Sequence, residues 1–349
     1  MAVVTGVNVV RLSDLAHGQE AECFGALSKK EPGTDKNGNP FVRCYFRDKR
    51  VVRVAPLWFA NPIREVSEGW PVGEAYRLKV RGDQTARYGF QLEIIAGRPV
   101  IEDDKADGYD FFDLVESTDY SPDLLFETIH GYIDRYIQEE CLATLVRRIL
   151  DENEVSFKRM PAAQAFHHSF TGGLLEHVWS MTRVSGFLAE HYGKYYSKLD
   201  PPLNRGVIVA AAILHDIGKL RELVYHPVEV KYSTVGSLVG HVLLGRDLVR
   251  EVARTIAGFP DETLLLLEHA ILAHHGKEEF GAPKAPQTIE ALIVHYADDI
   301  DSKINAAARE RLRSTTDEQF TDKVFALGRR IYKGIPQEPA VDDPKDLTA

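Results

Sequence analysis

The run Ala212-Ile-Leu-His-Asp-Ile-Gly-Lys219 sets a histidine directly before an aspartate inside an apolar helical stretch, and this pairing constrains the fold more than any other feature. Ala210, Ala211 and Ala212 lead into it, so the stretch packs closely against its neighbours and carries His215 and Asp216 indoors. A buried imidazole and carboxylate are costly unless satisfied. They can hydrogen-bond, or a neutral ring nitrogen and a carboxylate oxygen can share a divalent cation. The other histidines bear on the choice. The chain has 13, and 11 of them lie between His167 and His295. They fall in separate helix-like segments: His167-His-Ser-Phe-Thr-Gly-Gly-Leu-Leu-Glu-His177, Gly240-His241, Ala273-His274-His275-Gly276-Lys277 and His295-Tyr-Ala-Asp298-Asp299-Ile-Asp301. Segments roughly 20 to 40 residues apart are what helices of a bundle need to aim ligands at a common centre.

The first hundred residues read differently. β-rich runs at 22–28, 41–48, 50–57, 75–81 and 90–96 are divided by turn signals such as Pro32-Gly33 and Lys36-Asn-Gly-Asn-Pro40. A short helix fits between the third and fourth runs, at 61–70, and five strands with a helix after the third is the plan of an OB-fold barrel. On the second strand Val42, Cys44 and Phe46 share the core face. Phe41, Arg43, Tyr45 and Arg47 share the other, mixing aromatics with cations as a single-strand platform does. A solvated face with its aromatics tucked against a loop is the plainer alternative. Trp58 and Phe59 read as core or domain-interface residues.

The acidic, turn-rich stretch 101–120 reads as a linker. From Ser121-Pro122, an N-cap with proline at the first helical position, the pattern turns helical. Amphipathic runs are expected at 122–137, 139–152, 173–192, 203–219, 237–257, 261–274, 287–310 and 317–333. The expected architecture is therefore β then all-α: a barrel over 1–100, a linker over 101–120, a helical domain over 121–335 and a disordered tail over 336–349.

Charge follows the same division. Residues 1–100 hold 15 basic and 11 acidic side chains, and the remainder 27 and 41, so a front of +4 meets a back of −14. A polyanion would be gripped by the front, and the back needs bound cations to tolerate phosphate. No apolar run approaches the roughly 20 residues of a membrane span. The N-terminus shows no signal peptide, and the three cysteines, Cys23, Cys44 and Cys141, suit a reducing cytoplasm.

Taken together the motifs His167 to His177, Leu214-His-Asp-Ile-Gly-Lys219, Gly240-His241, His274-His-Gly-Lys277 with Gly281-x-Pro-Lys284, and His295-x-x-Asp-x-x-Asp-x-Lys303 resemble the bacterial 3′→5′ exoribonucleases first described as CMP-binding factors. That family joins an OB domain to a helical domain of the HD superfamily of metal-dependent phosphohydrolases. The resemblance implies two divalent ions held by His177, His215, Asp216, His241, His274 and Asp298, with Asp216 bridging. Manganese is the first choice of metal, and iron, zinc, cobalt and magnesium are alternatives. Lys219 and Lys277 are the candidates for neutralising phosphate oxygens, beside the plainer reading of solvated charges. His167, His168, His275 and Asp301 are expected to support ligands or touch substrate, with His274 favoured over its neighbour as ligand.

The function expected is a cytoplasmic, metal-dependent exonuclease that degrades single-stranded RNA to nucleoside monophosphates, with single-stranded DNA as a second candidate substrate. A homo-oligomer is left open. One rival is a nucleotide or cyclic-dinucleotide phosphohydrolase with a regulatory barrel. Another is a non-catalytic nucleic-acid binder that senses a nucleotide.

Overall fold

The computed structural model describes residues 9–335 except 59, 87, 164–169, 227, 228, 315 and 317. Phe59, His167, His168 and the tail expected from 336 lie outside the described residues.

Five strands close a barrel: β1 (Glu20–Thr34), β2 (Pro40–Arg47), β3 (Val52–Leu57), β4 (Ala75–Thr85) and β5 (Gly89–Pro99), in the order β1-β2-β3-β5-β4. A short helix α1 (Ile63–Glu68) stands between β3 and β4. Strand β1 pairs with both β2 and β4, and a register shift between Leu27 and Lys29 bends it around the barrel. The alternation expected for β2 places Cys44 and Phe46 in a core with Leu27, Leu57, Tyr76, Leu78, Val80 and Leu92. The chain is thus an OB-type barrel followed by a helical domain.

The segment 101–120 is packed and not a loose tether. Two 3-10 turns, Glu102–Asp107 and Phe111–Asp113, form within it. Asp104 is 1% exposed and accepts hydrogen bonds from Arg77 Nη1 at 2.7 Å, Arg98 Nη2 at 2.6 Å and the Ile101 amide at 2.9 Å. Leu114 and Val115 are buried.

The helical domain comprises α2 (Pro122–Tyr136), α3 (Glu140–Glu152), α4 (Glu154–Arg159), α5 (Gly173–Tyr195), α6 (Arg205–Leu214), α7 (Lys219–Glu222), α8 (Thr234–Val239), α9 (His241–Ala253), α10 (Asp261–Ala273) and α11 (Ile289–Arg313). Every residue of α6 from Val207 to Leu214 is buried, so α6 is the central post against which α5, α10 and α11 pack. A hairpin of β6 (Leu223–His226) and β7 (Glu229–Tyr232) follows α7.

Three expected helices are corrected. The run 203–219 ends at Leu214 and resumes only as α7. A Cβ on Gly218 would lie 2.0 Å from the His241 carbonyl oxygen, so the break is a close approach of two backbones that only glycine permits. The run 237–257 is cut at Gly240, whose φ of +81° no helix can contain. The run 317–333 is a hairpin of β8 (Phe320–Val324) and β9 (Arg329–Tyr332) lying on α11. Its sequence, Phe-Thr-Asp-Lys-Val then Arg-Arg-Ile-Tyr, is rich in aromatic and β-branched residues, and Gly328 turns it at φ +64°.

Candidate metal centre

The ligand candidates converge because of where the helices start and stop. His177 lies in the second turn of α5. His215 and Asp216 follow the last residue of α6, and His241 begins α9 at the Gly240 break. His274 follows the end of α10, and Asp298 lies midway along α11. Three overlapping sets of donor atoms each fall within 4.8 Å of one another: His177, His215 and Asp298; His215, Asp216 and His274; His241, His274 and His275.

Asp216 divides them. Its Oδ2 is 3.3 Å from His215 Nε2 and 3.8 Å from His177 Nε2. Its Oδ1 is 3.3 Å from His241 Nε2 and 3.9 Å from His274 Nε2. Asp298 Oδ1 is 3.3 Å from His177 Nε2.

Each of four histidines has its far nitrogen fixed. His177 Nδ1 is 2.7 Å from Asp301 Oδ2, and Asp301 in turn accepts from Ser180 Oγ. His215 Nδ1 donates to the Ala212 carbonyl at 2.9 Å and His274 Nδ1 to the Ile271 carbonyl at 2.6 Å. His241 Nδ1 lies 3.1 Å from Glu222 Oε1. This second layer turns Nε2 of each ring toward the centre, the atom with which a neutral imidazole can hold a cation. Two such atoms, His177 Nε2 and His215 Nε2, then face each other at 3.2 Å, an arrangement that lone pairs accept only with a cation or proton between them. On the other side Asp216 Oδ1, His241 Nε2, His274 Nε2 and His275 Nδ1 are all buried without a hydrogen-bond partner among the described residues. Buried polar atoms are rarely left so. The donor set and the orphaned atoms fit divalent cations.

The protein's own groups favour a proton on His177, which a bound cation would displace, and neutral rings at His274 and His275. Burial opposes charge on His177, but the Asp298 and Asp301 carboxylates raise it to about 10. Burial, then the neighbouring His275 and His215, holds His274 well below the ordinary imidazole value. Burial and His241 bring His275 down to about 4. Burial would raise Asp216, yet Lys219 and His215 keep it well below the carboxylate range.

Several residues sit otherwise than expected. His275 joins His241 and His274, so the structure brings both neighbouring histidines to the cluster where one was expected to suffice. Lys219 is buried against a ligand, donating to Asp216 Oδ2 at 2.6 Å. Lys277 is exposed, points to Glu279 at 3.4 Å and covers the Phe280 ring, and no contact with the cluster is found for it among the described residues. Glu222 and His295 are not among the site residues expected from the sequence. Glu222 is a buried acid three residues beyond Lys219, and His295 stands three before Asp298 on one helical face. Those spacings were the available signals.

The barrel face needs two corrections. Phe41 is 6% exposed, its ring lying over Gly33 and 4.7 Å from Trp58, so it is no free platform. Trp58, expected in the core or at a domain interface, is 50% exposed and caps that ring. Arg43 is exposed and lies over Phe41, while the Tyr45 hydroxyl donates to Glu31 at 2.5 Å. Arg47 lies close enough to Tyr225 of the helical domain for its charge to act on that phenol. A cleft of about 980 Å³ opens at the far end of α6, beside Asn204, and holds none of the cluster residues.

A carboxylate set between two groups of imidazoles in a helical bundle, beside an OB-type barrel, defines a metal-dependent hydrolase of the HD class. The HD domain family model matches residues 174–303. The 3′-5′ exoribonuclease YhaM of Listeria welshimeri is 32% identical over 322 residues, covering 92% of this chain and 97% of the relative. Its counterpart in Bacillus subtilis is 32% identical over 90% of this chain and 95% of its own length, and one from Geobacillus is 33% identical over 91% and 93%. The chain belongs to this YhaM exoribonuclease family. Among solved structures, a domain of replication protein A from Methanococcus maripaludis aligns with 26% of the chain at 8% identity, with a TM-score of 0.22 too low to carry an argument.

Proposed function

We propose that the chain is a metal-dependent 3′→5′ exonuclease that shortens single-stranded RNA to nucleoside monophosphates in the cytoplasm. Two divalent ions, manganese by preference, would be held on either side of Asp216. The observation that carries this is the division of its carboxylate, with Oδ2 toward His177 and His215 and Oδ1 toward His241 and His274. Divalent ions bound there activate water and neutralise charge on phosphoryl oxygens. Asp301 and Glu222 keep the His177 and His241 rings turned to the centre. Lys219 adds a buried positive charge beside the Asp216 ligand. Its ammonium would steady negative charge growing on phosphate, the kind of preorganised contact that favours a transition state.

In this reading residues 1–100 hold the strand and 121–335 cut it, with 101–120 as the packed joint. Arg43, Tyr45 and Arg47 lie on the holding face. The three cysteines are free, in keeping with a reducing compartment. No helix among the described residues is long and apolar enough to cross a membrane.

The test is a 5′-labelled RNA oligonucleotide incubated with manganese, in parallel with free nucleotides and cyclic dinucleotides. A ladder shortening from the 3′ end, lost in Asp216→Ala, is expected. Hydrolysis of free nucleotides or cyclic dinucleotides alone would move the assignment to a nucleotide phosphohydrolase, and binding without cleavage would leave a sensor.

A further inference from the structure

Hydrogen bonds lead from the barrel toward the segments that carry the metal centre. The turn after β2 meets the segment 110–119, where the Lys49 amide donates to the Asp113 carbonyl at 2.8 Å. That segment then pairs with the residue before the glycine turn of α5: Thr118 N donates to Thr171 O and Thr171 N to Glu116 O, each at 2.9 Å. Thr171 Oγ1 lies 2.6 Å from the Tyr225 hydroxyl. Thr171 stands six residues before His177, and Tyr225 three after Glu222. These groups mark out a path along the surface from the end of β2 toward the segments that carry His177 and Glu222.

Most of its charges pair off: Asp113 with Arg11, Asp119 with Lys49, Asp123 with Lys158, and Glu116 with Arg309 and Arg313. Asp110, which lines the same two clefts as Arg159, accepts from the Phe112 amide and meets no cation in an ion pair among the described residues. Two arginines remain over. Arg47 has a buried Nε with no hydrogen-bond partner among the described residues. Arg159 is exposed, and no carboxylate pairs with it among the described residues. It is laid over the Phe111 ring at 5.5 Å, and that ring meets Tyr225 edge-on at 6.4 Å. Both guanidinium groups lie close enough to Tyr225 for their charges to act on its phenol. Arg159 also lines two clefts, of about 550 and 650 Å³. A guanidinium held flat on an aromatic ring is preorganised, and its fork matches phosphate oxygens.

We propose that the single strand runs in a crevice along this path from barrel to metal centre, with Arg47 and Arg159 each holding a phosphate of the nucleotides upstream of the one being released. This rests on the exonuclease reading above and adds Arg159, Phe111 and Tyr225 to it. The chemistry recognised is the phosphodiester backbone and not the base, so the crevice is indifferent to sequence.

The test compares full-length, manganese-loaded wild type with Arg159→Ala, Arg47→Ala and Arg159→Lys, on a twelve-nucleotide RNA and on a dinucleotide, across a salt series. The alanine variants are expected to lose about tenfold more in kcat/KM on the long strand than on the dinucleotide, since only the long strand spans the crevice. Each should make the salt dependence shallower by about 0.7 in log–log slope, because one phosphate contact releases that many counterions from a single strand. Arg159→Lys should keep most of the slope. Equal losses on both substrates, or a slope unchanged in both alanine variants, would overturn the proposal. Arg159 is exposed, so its variant folds and the result stands even if Arg47→Ala does not fold. A wild type that cleaves no strand at all would instead sink the exonuclease reading.

Discussion

His295 Nδ1 donates to the carbonyl oxygen of His274 across 2.7 Å, so one turn of α11 holds the end of α10 in place. The ring fits only because residue 276 has no side chain: a Cβ there would lie 2.2 Å from the imidazole, and φ is +78°. Gly276→Ala should therefore displace His295, and with it His274 and His275. Groups that orient ligands typically cost 10–100-fold in metal affinity when lost. Titration of the chelated protein with manganese should show that loss for Gly276→Ala and, by a smaller factor, for His295→Ala. Wild-type affinity in Gly276→Ala would mean that the end of α10 is held by other contacts.

Lys219 and Asp216 form an ion pair with both partners nearly buried, their side chains 10% and 3% exposed. The lysine is a neighbour of a proposed ligand, and as an ammonium it offers no lone pair to a cation. Lys219→Ala is expected to leave metal content at saturating supply as in wild type and to lower kcat about 10²-fold, the cost of one lost transition-state donor. Metal analysis beside steady-state kinetics separates the roles. A fall in metal content matching the fall in kcat would make Lys219 a support for Asp216 instead.

Asp104 ties the joint segment to the barrel. Hydrogen bonding from Arg98, outweighing burial, holds its carboxyl well below the ordinary value of 3.8. A carboxylate whose folded value is depressed contributes stability that is full above the unfolded value and is lost as pH falls through the acid range. Asp104→Asn should cost about 2 kcal/mol at pH 7, less than a fully buried pair because Arg98 is 42% exposed. The deficit should shrink below pH 4, which denaturant unfolding of both proteins at pH 7 and pH 3 would measure. A pH-independent deficit would assign the effect to packing.

Trp58 is an exposed aromatic on the barrel face, seated on Phe41 beside Arg43. If a base stacks there, Trp58→Ala costs about 1–3 kcal/mol of single-strand affinity and leaves the salt slope unchanged, because stacking releases no counterions. Arg43→Ala should instead make the slope shallower. Anisotropy of a labelled RNA at several salt concentrations reads both. No loss of affinity in Trp58→Ala would confine strand binding to the cationic residues.

The sequence by itself determined the two kinds of architecture and the kind of centre. Period-two alternation in β2 puts Cys44 and Phe46 in the barrel core whatever surrounds them, because the pleat sends neighbours to opposite faces. Histidines and aspartates set in apolar helical runs are so expensive alone that their joint burial already speaks for a cation. The tertiary structure decided what depends on neighbours through space. His275 turned inward beside His274 because α9 brings His241 there, and α9 comes so close only because Gly218 admits its backbone. Phe41 and Trp58 exchanged their expected exposures because one ring covers the other, a packing choice that alternation along a single strand does not encode. Residues 320–332 became a hairpin on α11, and Asp104 made a joint of an acidic stretch, because the partners that reward those choices lie elsewhere in the chain. Local pattern records which face a residue turns, and only the assembled fold says what that face meets.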